Sequence, residues 1–185
     1  MSLTAQEWGP GYAASVSGGT IAGQGIVLAR AAEFSSEDFQ VKYEGSVASL
    51  YSEGILGAAI GQTWPTDGVF KFTYTPGGVA SPLCLGVATT AGQGTPVSLQ
   101  PCGFSARVLW IDLAADASGN YQPLINGSDT VTSAPYVLTA GQENSALTTA
   151  AMYLQGGTVA TAQIWASRYG AYYPSQPSPV PPPRP

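Results

Sequence analysis

Histidine is absent from the 185 residues. That removes Ser-His-Asp and Cys-His nucleophiles, imidazole metal ligands and a histidine switch near neutral pH. Charge is scarce as well: 9% of residues are Asp, Glu, Lys or Arg, with six basic against eleven acidic side chains and a net charge of −5. No Lys/Arg cluster exists to neutralise a phosphate backbone, so nucleic acid is excluded as a partner. Two cysteines cannot complete a structural zinc site unaided. No Gly-rich loop ends in Gly-Lys-Ser/Thr and no G-x-G-x-x-G follows a strand, so no phosphate-binding cofactor is expected. No stretch approaches the eighteen apolar residues of a membrane span. Met1 to Trp8 has neither a basic nor an apolar signal region, which reads as a leaderless or already processed chain.

Hydrophobic residues reach 44%, and 23 Gly with 15 Pro fill about a fifth of the chain. This mixture suits an all-β, turn-rich domain rather than a helical bundle, whose outer faces need far more charge. The tryptophans suggest a repeat. Gln62-Thr63-Trp64, Val108-Leu109-Trp110 and Gln163-Ile164-Trp165 are separated by 46 and then 55 residues. Leu99 and Leu154 each stand eleven residues before their Trp, and Leu50 stands fourteen before Trp64. Thr66-Asp67-Gly68, Thr75-Pro76-Gly77-Gly78 and Asn126-Gly127 supply turn residues between short apolar runs. Each unit reads as four strands. In the first unit these are 25–31, 38–43, 47–52 and 60–64. Twelve short strands in three pseudo-repeats predict a β-trefoil, a six-stranded barrel capped by three hairpins. The boundaries so read are an irregular arm over 1–18, a trefoil over 19–173 with repeats of about 19–64, 65–110 and 111–168, and a proline-rich tail over 174–185.

One repeat resembles a known family. Cys84-Leu85-Gly86-Val87, then Gly94-Thr95-Pro96-Val97-Ser98-Leu99-Gln100-Pro101-Cys102 and Trp110, is similar to a repeat of the ricin-type β-trefoil lectins. There a Cys-Leu-Asp-Val element precedes Gly-Thr-Pro-Val-x-Leu-x-x-Cys and Gln-x-Trp. The resemblance implies a Cys84–Cys102 disulfide and, with it, an extracellular setting; without the bridge a cytoplasmic, leaderless protein is expected. It also implies a glycan or glycoprotein ligand. The family's Asp accepts hydrogen bonds from sugar hydroxyls, but Gly86 stands at that position here, with Gln40 and Thr139 read as its equivalents in the first and last repeats. Asp38, two residues from Gln40, is the nearest carboxylate. Tyr51 and Tyr153 are candidate platforms for a pyranose face, with Gln100 and Gln155 as polar partners.

Other features carry less. Glu37/Asp38 and Asp112/Asp116 would serve a glycosidase only if held several ångströms apart, and in so sparsely charged a chain they read as solvated turns. No enzyme is expected. Asn126-Gly127-Ser128 matches a glycosylation acceptor but reads better as a hairpin turn. Pro179, Pro182 and Arg184 fit the arrangement that SH3 grooves read, although a spacer is the commoner use of such a tail. The leading expectation is a non-catalytic, carbohydrate-binding module. A protein-binding trefoil, such as a proteinase inhibitor, and a structural or accessory subunit are the alternatives.

Overall fold

The computed structural model describes residues 2–8, 11–31, 35–103, 105–113, 122–131, 133–155 and 158–168. The first repeat comprises β1 (Ser2–Ala5), β2 (Tyr12–Val16), β3 (Ile26–Arg30) and β4 (Phe39–Ser46). The second comprises β5 (Gly68–Tyr74), β6 (Leu83–Val87), β7 (Thr95–Pro101) and β8 (Trp110–Asp112). The third begins with β9 (Leu124–Asn126), β10 (Tyr136–Thr139) and β11 (Thr148–Ala151). A small extra hairpin follows, β12 (Leu154–Gln155) with β13 (Thr158–Val159), and β14 (Trp165–Arg168) completes the repeat.

The outer strands of each repeat are barrel staves. Antiparallel pairs join β4 to β5, β5 to β8, β8 to β9 and β14 to β1. Gln122 bridges to Trp165 just ahead of β9. The inner strands form the hairpins β2–β3, β6–β7 and β10–β11. These three interlock around one axis: Leu99 N–H donates to Gln24 O at 2.8 Å, Val97 N–H to Leu147 O at 2.9 Å and Leu147 N–H to Ile26 O at 2.8 Å. The architecture is a β-trefoil. Its strand edges are largely consumed by closure.

Each fourth strand is entered through a one-turn 3-10 helix, at Ser35–Glu37, Ala106–Val108 and Thr161–Gln163. Two residues on, a buried aromatic starts the strand: Phe39, Trp110 and Trp165. The indole N–H of Trp110 donates to Leu85 O at 3.0 Å and that of Trp165 to Leu138 O at 2.8 Å, each spanning from stave to hairpin. Phe39 has no such donor and packs on Tyr74, with ring centroids 5.6 Å apart. Leu3, Phe72 and Leu124, two positions along the facing staves, complete the ring of buried side chains.

This corrects the repeat boundaries. The first repeat starts at β1, not near residue 19, and residues 1–18 are no irregular arm, because they supply one stave and one hairpin strand. Ala13, Ala14 and Val16 are buried there. The threefold slot assigned to Trp64 belongs to Phe39. Trp64 instead follows an insert between β4 and β5.

That insert carries α1 (Val47–Ser52) and α2 (Ala58–Thr63), where strands were expected at 47–52 and 60–64. Val47 and Leu50 are buried at helical spacing, and Ser46 caps α1 by accepting from Ser49 N–H at 3.2 Å. Gly61 lets the helices touch, since a Cβ there would collide with Tyr51. The insert buries Val47, Leu50, Leu56 and Ile60 against Val69, Ile111 and Ile125, on the other faces of β5, β8 and β9. Val69, Ile111 and Ile125 thus give those three strands an apolar patch on the outer face, and with it a second core outside the barrel.

The Cys84–Cys102 disulfide is formed. It staples the base of the β6–β7 hairpin, where Cys84 lies opposite Gln100. No helix is long and apolar enough to cross a membrane among the described residues. The 174–185 tail lies outside them.

Candidate functional site

The residues singled out from the sequence do not converge. Asp38 and Gln40 sit at the start of β4, with Gln40 opposite Thr73. The same row continues through Cys84 to Gln100. Three interstrand steps separate Gln40 from Gln100, about 14 Å. Gln100 donates to Ser98 Oγ at 2.8 Å on its own strand. Tyr51 is on α1 and packs on Gly61. Tyr153 is 64% exposed and leads into the β12–β13 hairpin, its N–H donating to Gln163 Oε1 at 2.8 Å. Gln155 is in β12, and its side chain, like Asp116, lies outside the described residues.

Register places the family's Asp position at Gly86, Thr139 and Ser15. Gln40 is corrected here: it lies on a barrel stave, whereas the position belongs to the first strand of a capping hairpin. All three positions face the repeat's own 3-10 turn. Ser15 Oγ donates to Ser36 Oγ at 3.0 Å. Thr139 Oγ1 accepts from Gln163 Nε2 at 3.1 Å, and that amide also donates to Ala151 O at 3.0 Å. At Gly86 a Cβ would stand 2.8 Å from Arg107 O and 2.8 Å from Val108 Cγ1. The middle repeat thus excludes a carboxylate by close backbone approach, and the other two spend their hydroxyls on internal contacts. Gln163, first residue of the third Gln-x-Trp, is a clamp between hairpin and turn, not a ligand group.

Asn126 is also structural. It is fully buried, its amide donates to Arg107 O at 3.1 Å, and its carbonyl accepts from Ser128 N–H at 3.1 Å. A glycan on this nitrogen has no room.

One barrel end holds a pair of acids. Asp112 on β8 faces Gly68, the neighbour of Asp67, and Gln122 presents its amide to the Asp112 carboxyl. Burial, then the Asp67 charge, pushes Asp112 up to about 7 from an ordinary 3.8, and burial raises Asp67 as well. Asp112 holds its proton more tightly folded than unfolded, so stability falls as pH climbs from about 4 to 7, where the unfolded chain binds fewer protons. Asp112→Asn should match wild type at pH 4 and exceed it at pH 8 by about 1–2 kcal/mol, the full shift being discounted because the group remains partly wet. Urea melts at the two pH values measure this; equal gains at both would remove the ionisation argument.

Sequence reasoning missed one surface cluster. Trp8, in the β1–β2 loop, and Tyr12, at the start of β2, have ring centroids 5.3 Å apart and planes tilted by 56°. Arg30 ends β3 opposite Tyr12, with its guanidinium carbon 5.9 Å from the Tyr12 ring centroid. Glu143, in the β10–β11 turn, accepts the Tyr12 hydroxyl on one oxygen and meets Arg30 Nε on the other, both at 3.3 Å. The cluster spans the seam between the first and third repeats, where Leu28 N–H donates to Ser145 O at 3.1 Å and Asn144 N–H to Leu28 O at 2.7 Å. The paired hairpin-base positions elsewhere carry Leu83 with Pro101 and Tyr136 with Ala151, so the arrangement occurs once among the described residues. The feature of the sequence that marks this place is a lone aromatic, Trp8, followed by Gly9-Pro10-Gly11.

No family model matches the chain, and no curated protein matches it in sequence. Solved structures do. A designed threefold-symmetric protein, ThreeFoil, superposes with a TM-score of 0.59 over 89% of this chain and 94% of its own, at 13% identity. A mosquitocidal holotoxin matches with a TM-score of 0.61 and 11% identity over 89% of this chain, which spans only 16% of the toxin's length. At these identities the likeness is one of fold: the chain is a β-trefoil.

Proposed function

We propose that this trefoil is a non-catalytic, carbohydrate-binding module. The observation that carries the proposal is the middle repeat, where the residues resembling a lectin repeat are built into the fold as a unit. Cys84 and Cys102 staple its hairpin and the Trp110 indole reaches back to Leu85. The fold match to part of a holotoxin supports a role in recognition. Fold alone does not fix function, so the reading rests on binding.

A glycan array with competition by free sugar tests it. Saturable, sugar-competed binding is expected, in the micromolar to millimolar range of shallow sites. Silence across a broad panel would overturn the reading in favour of a protein partner, which the closed Asp positions also suit. Stoichiometric inhibition of a protease would then identify the inhibitor class.

A further inference from the structure

Resting on that reading, we infer that the saccharide binds at the Trp8–Tyr12–Arg30–Glu143 seam, outside the three repeat-equivalent Asp positions, and that its class is a neutral pyranose with two adjacent free hydroxyls. A sugar has two needs: an aromatic surface for its C–H face, and fixed donors and acceptors for neighbouring hydroxyls. The three Asp positions meet neither, being turned onto their own 3-10 turns. The seam meets both.

Two half-buried rings tilted by 56° form a corner rather than a stacked pair, resting on the barrel core with Arg30 over the Tyr12 ring. A pyranose laid on the solvent-facing part of these rings covers apolar carbon of both. Beside the corner stand a carboxylate and a guanidinium already fixed in place, as the Tyr12 hydroxyl and Arg30 Nε hold the two oxygens of Glu143. A carboxylate offers several lone-pair sites and a guanidinium five N–H donors, so both keep capacity after this contact. One hydroxyl donates to Glu143 while its neighbour accepts from Arg30. The Arg30 side chain is 75% exposed and that of Glu143 36%, which leaves the polar ends open to a ligand. An exposed ion pair of this kind adds little to stability, whereas as a preset donor–acceptor pair it lowers the ordering cost of binding.

The charge of the site selects the class. Arg30 and Glu143 cancel, so an acidic sugar gains no net attraction locally and meets a protein of net charge −5 overall. A neutral sugar escapes both penalties. Since the cluster occurs at one seam among the described residues, one sugar per chain is expected in place of the three that equal repeats would allow.

The test uses the best neutral glycan from the array, titrated calorimetrically into the full chain. Wild type should bind one equivalent. Glu143→Gln, Arg30→Gln and Tyr12→Ala should each weaken binding tenfold or more, and Tyr12→Phe a few-fold. Thr139→Ala and Gln100→Ala should leave affinity unchanged. Glu143→Gln and Arg30→Gln are surface changes expected to melt with wild type, and they decide the matter if Tyr12→Ala loses its fold. Trp8 emission should respond to the sugar, a response lost in Trp8→Phe. If wild type binds sugar while both surface variants bind it equally well, or if two or more equivalents bind, the seam is not the site although the module is still a lectin. If wild type binds no sugar, the functional reading fails and this assignment with it.

Discussion

Trp110→Ala should destabilise the protein by about 4 kcal/mol, and Phe39→Ala by about 3–4 kcal/mol, in the range for a large aromatic removed from a closed core. Trp64→Ala should cost less than about 2 kcal/mol. Three tryptophans spaced along the sequence invite equal treatment, but their surroundings differ. Trp110 is fully buried in the barrel core, with its indole N–H on the Leu85 carbonyl, and its loss leaves both a cavity and an orphaned acceptor. Phe39 fills the equivalent slot of the first repeat without a hydrogen bond to lose. Trp64 is half-buried at the rim of the second core. Urea denaturation of the three variants gives the order directly. If Trp64→Ala proved the most damaging and Phe39→Ala nearly silent, the threefold assignment of these aromatics would be wrong.

Loss of the disulfide is the second large effect. Cys84 and Cys102 are 18 residues apart, and freeing a loop of this size should cost about 3 kcal/mol in the chain-entropy account. For a domain of this length that lowers the melting temperature by roughly 6–12 °C. Alanine at both positions is the cleaner variant, since Cys84 is fully buried and a lone thiol would invite oxidation. Reductant should bring wild type down to the level of the double variant and leave the variant itself unmoved. A double variant as stable as wild type would mean that the β6–β7 hairpin pairs as firmly without its staple.

The middle repeat was legible because its signals are local. Cys84, Leu85, Leu99, Cys102 and Trp110 fall within one short stretch, and the disulfide that the family resemblance implied is formed there. The first repeat was misplaced for two physical reasons. Its core aromatic is Phe39 rather than a tryptophan, and the second strand of its quartet is built from the small residues Ala13 and Ala14, which give little hydrophobic contrast. Val47–Ser52 read as a strand because Leu50 was matched to Leu99 and Leu154, which lie in strands. The helical spacing of Val47 and Leu50 and the Ser46 cap were the discriminating signs. The seam cluster leaves no local pattern beyond Trp8, because Tyr12 and Glu143 are 131 positions apart and only closure of the trefoil brings them together.

The pairing of β1 with β14 has a consequence for how the molecule is made. Ser2 faces Arg168 and Ala5 faces Trp165, so the earliest stave synthesised waits for the latest before its edge is covered. Folding of such a topology is governed by loop closure over nearly the whole chain and is slow relative to local hairpins. During translation the β5–β8 region, with its nearby partners, can assemble while Ser2–Ala5 remains an unpaired ribbon. A nascent chain stalled ahead of Trp165 would then expose that ribbon as a template for wrong partners.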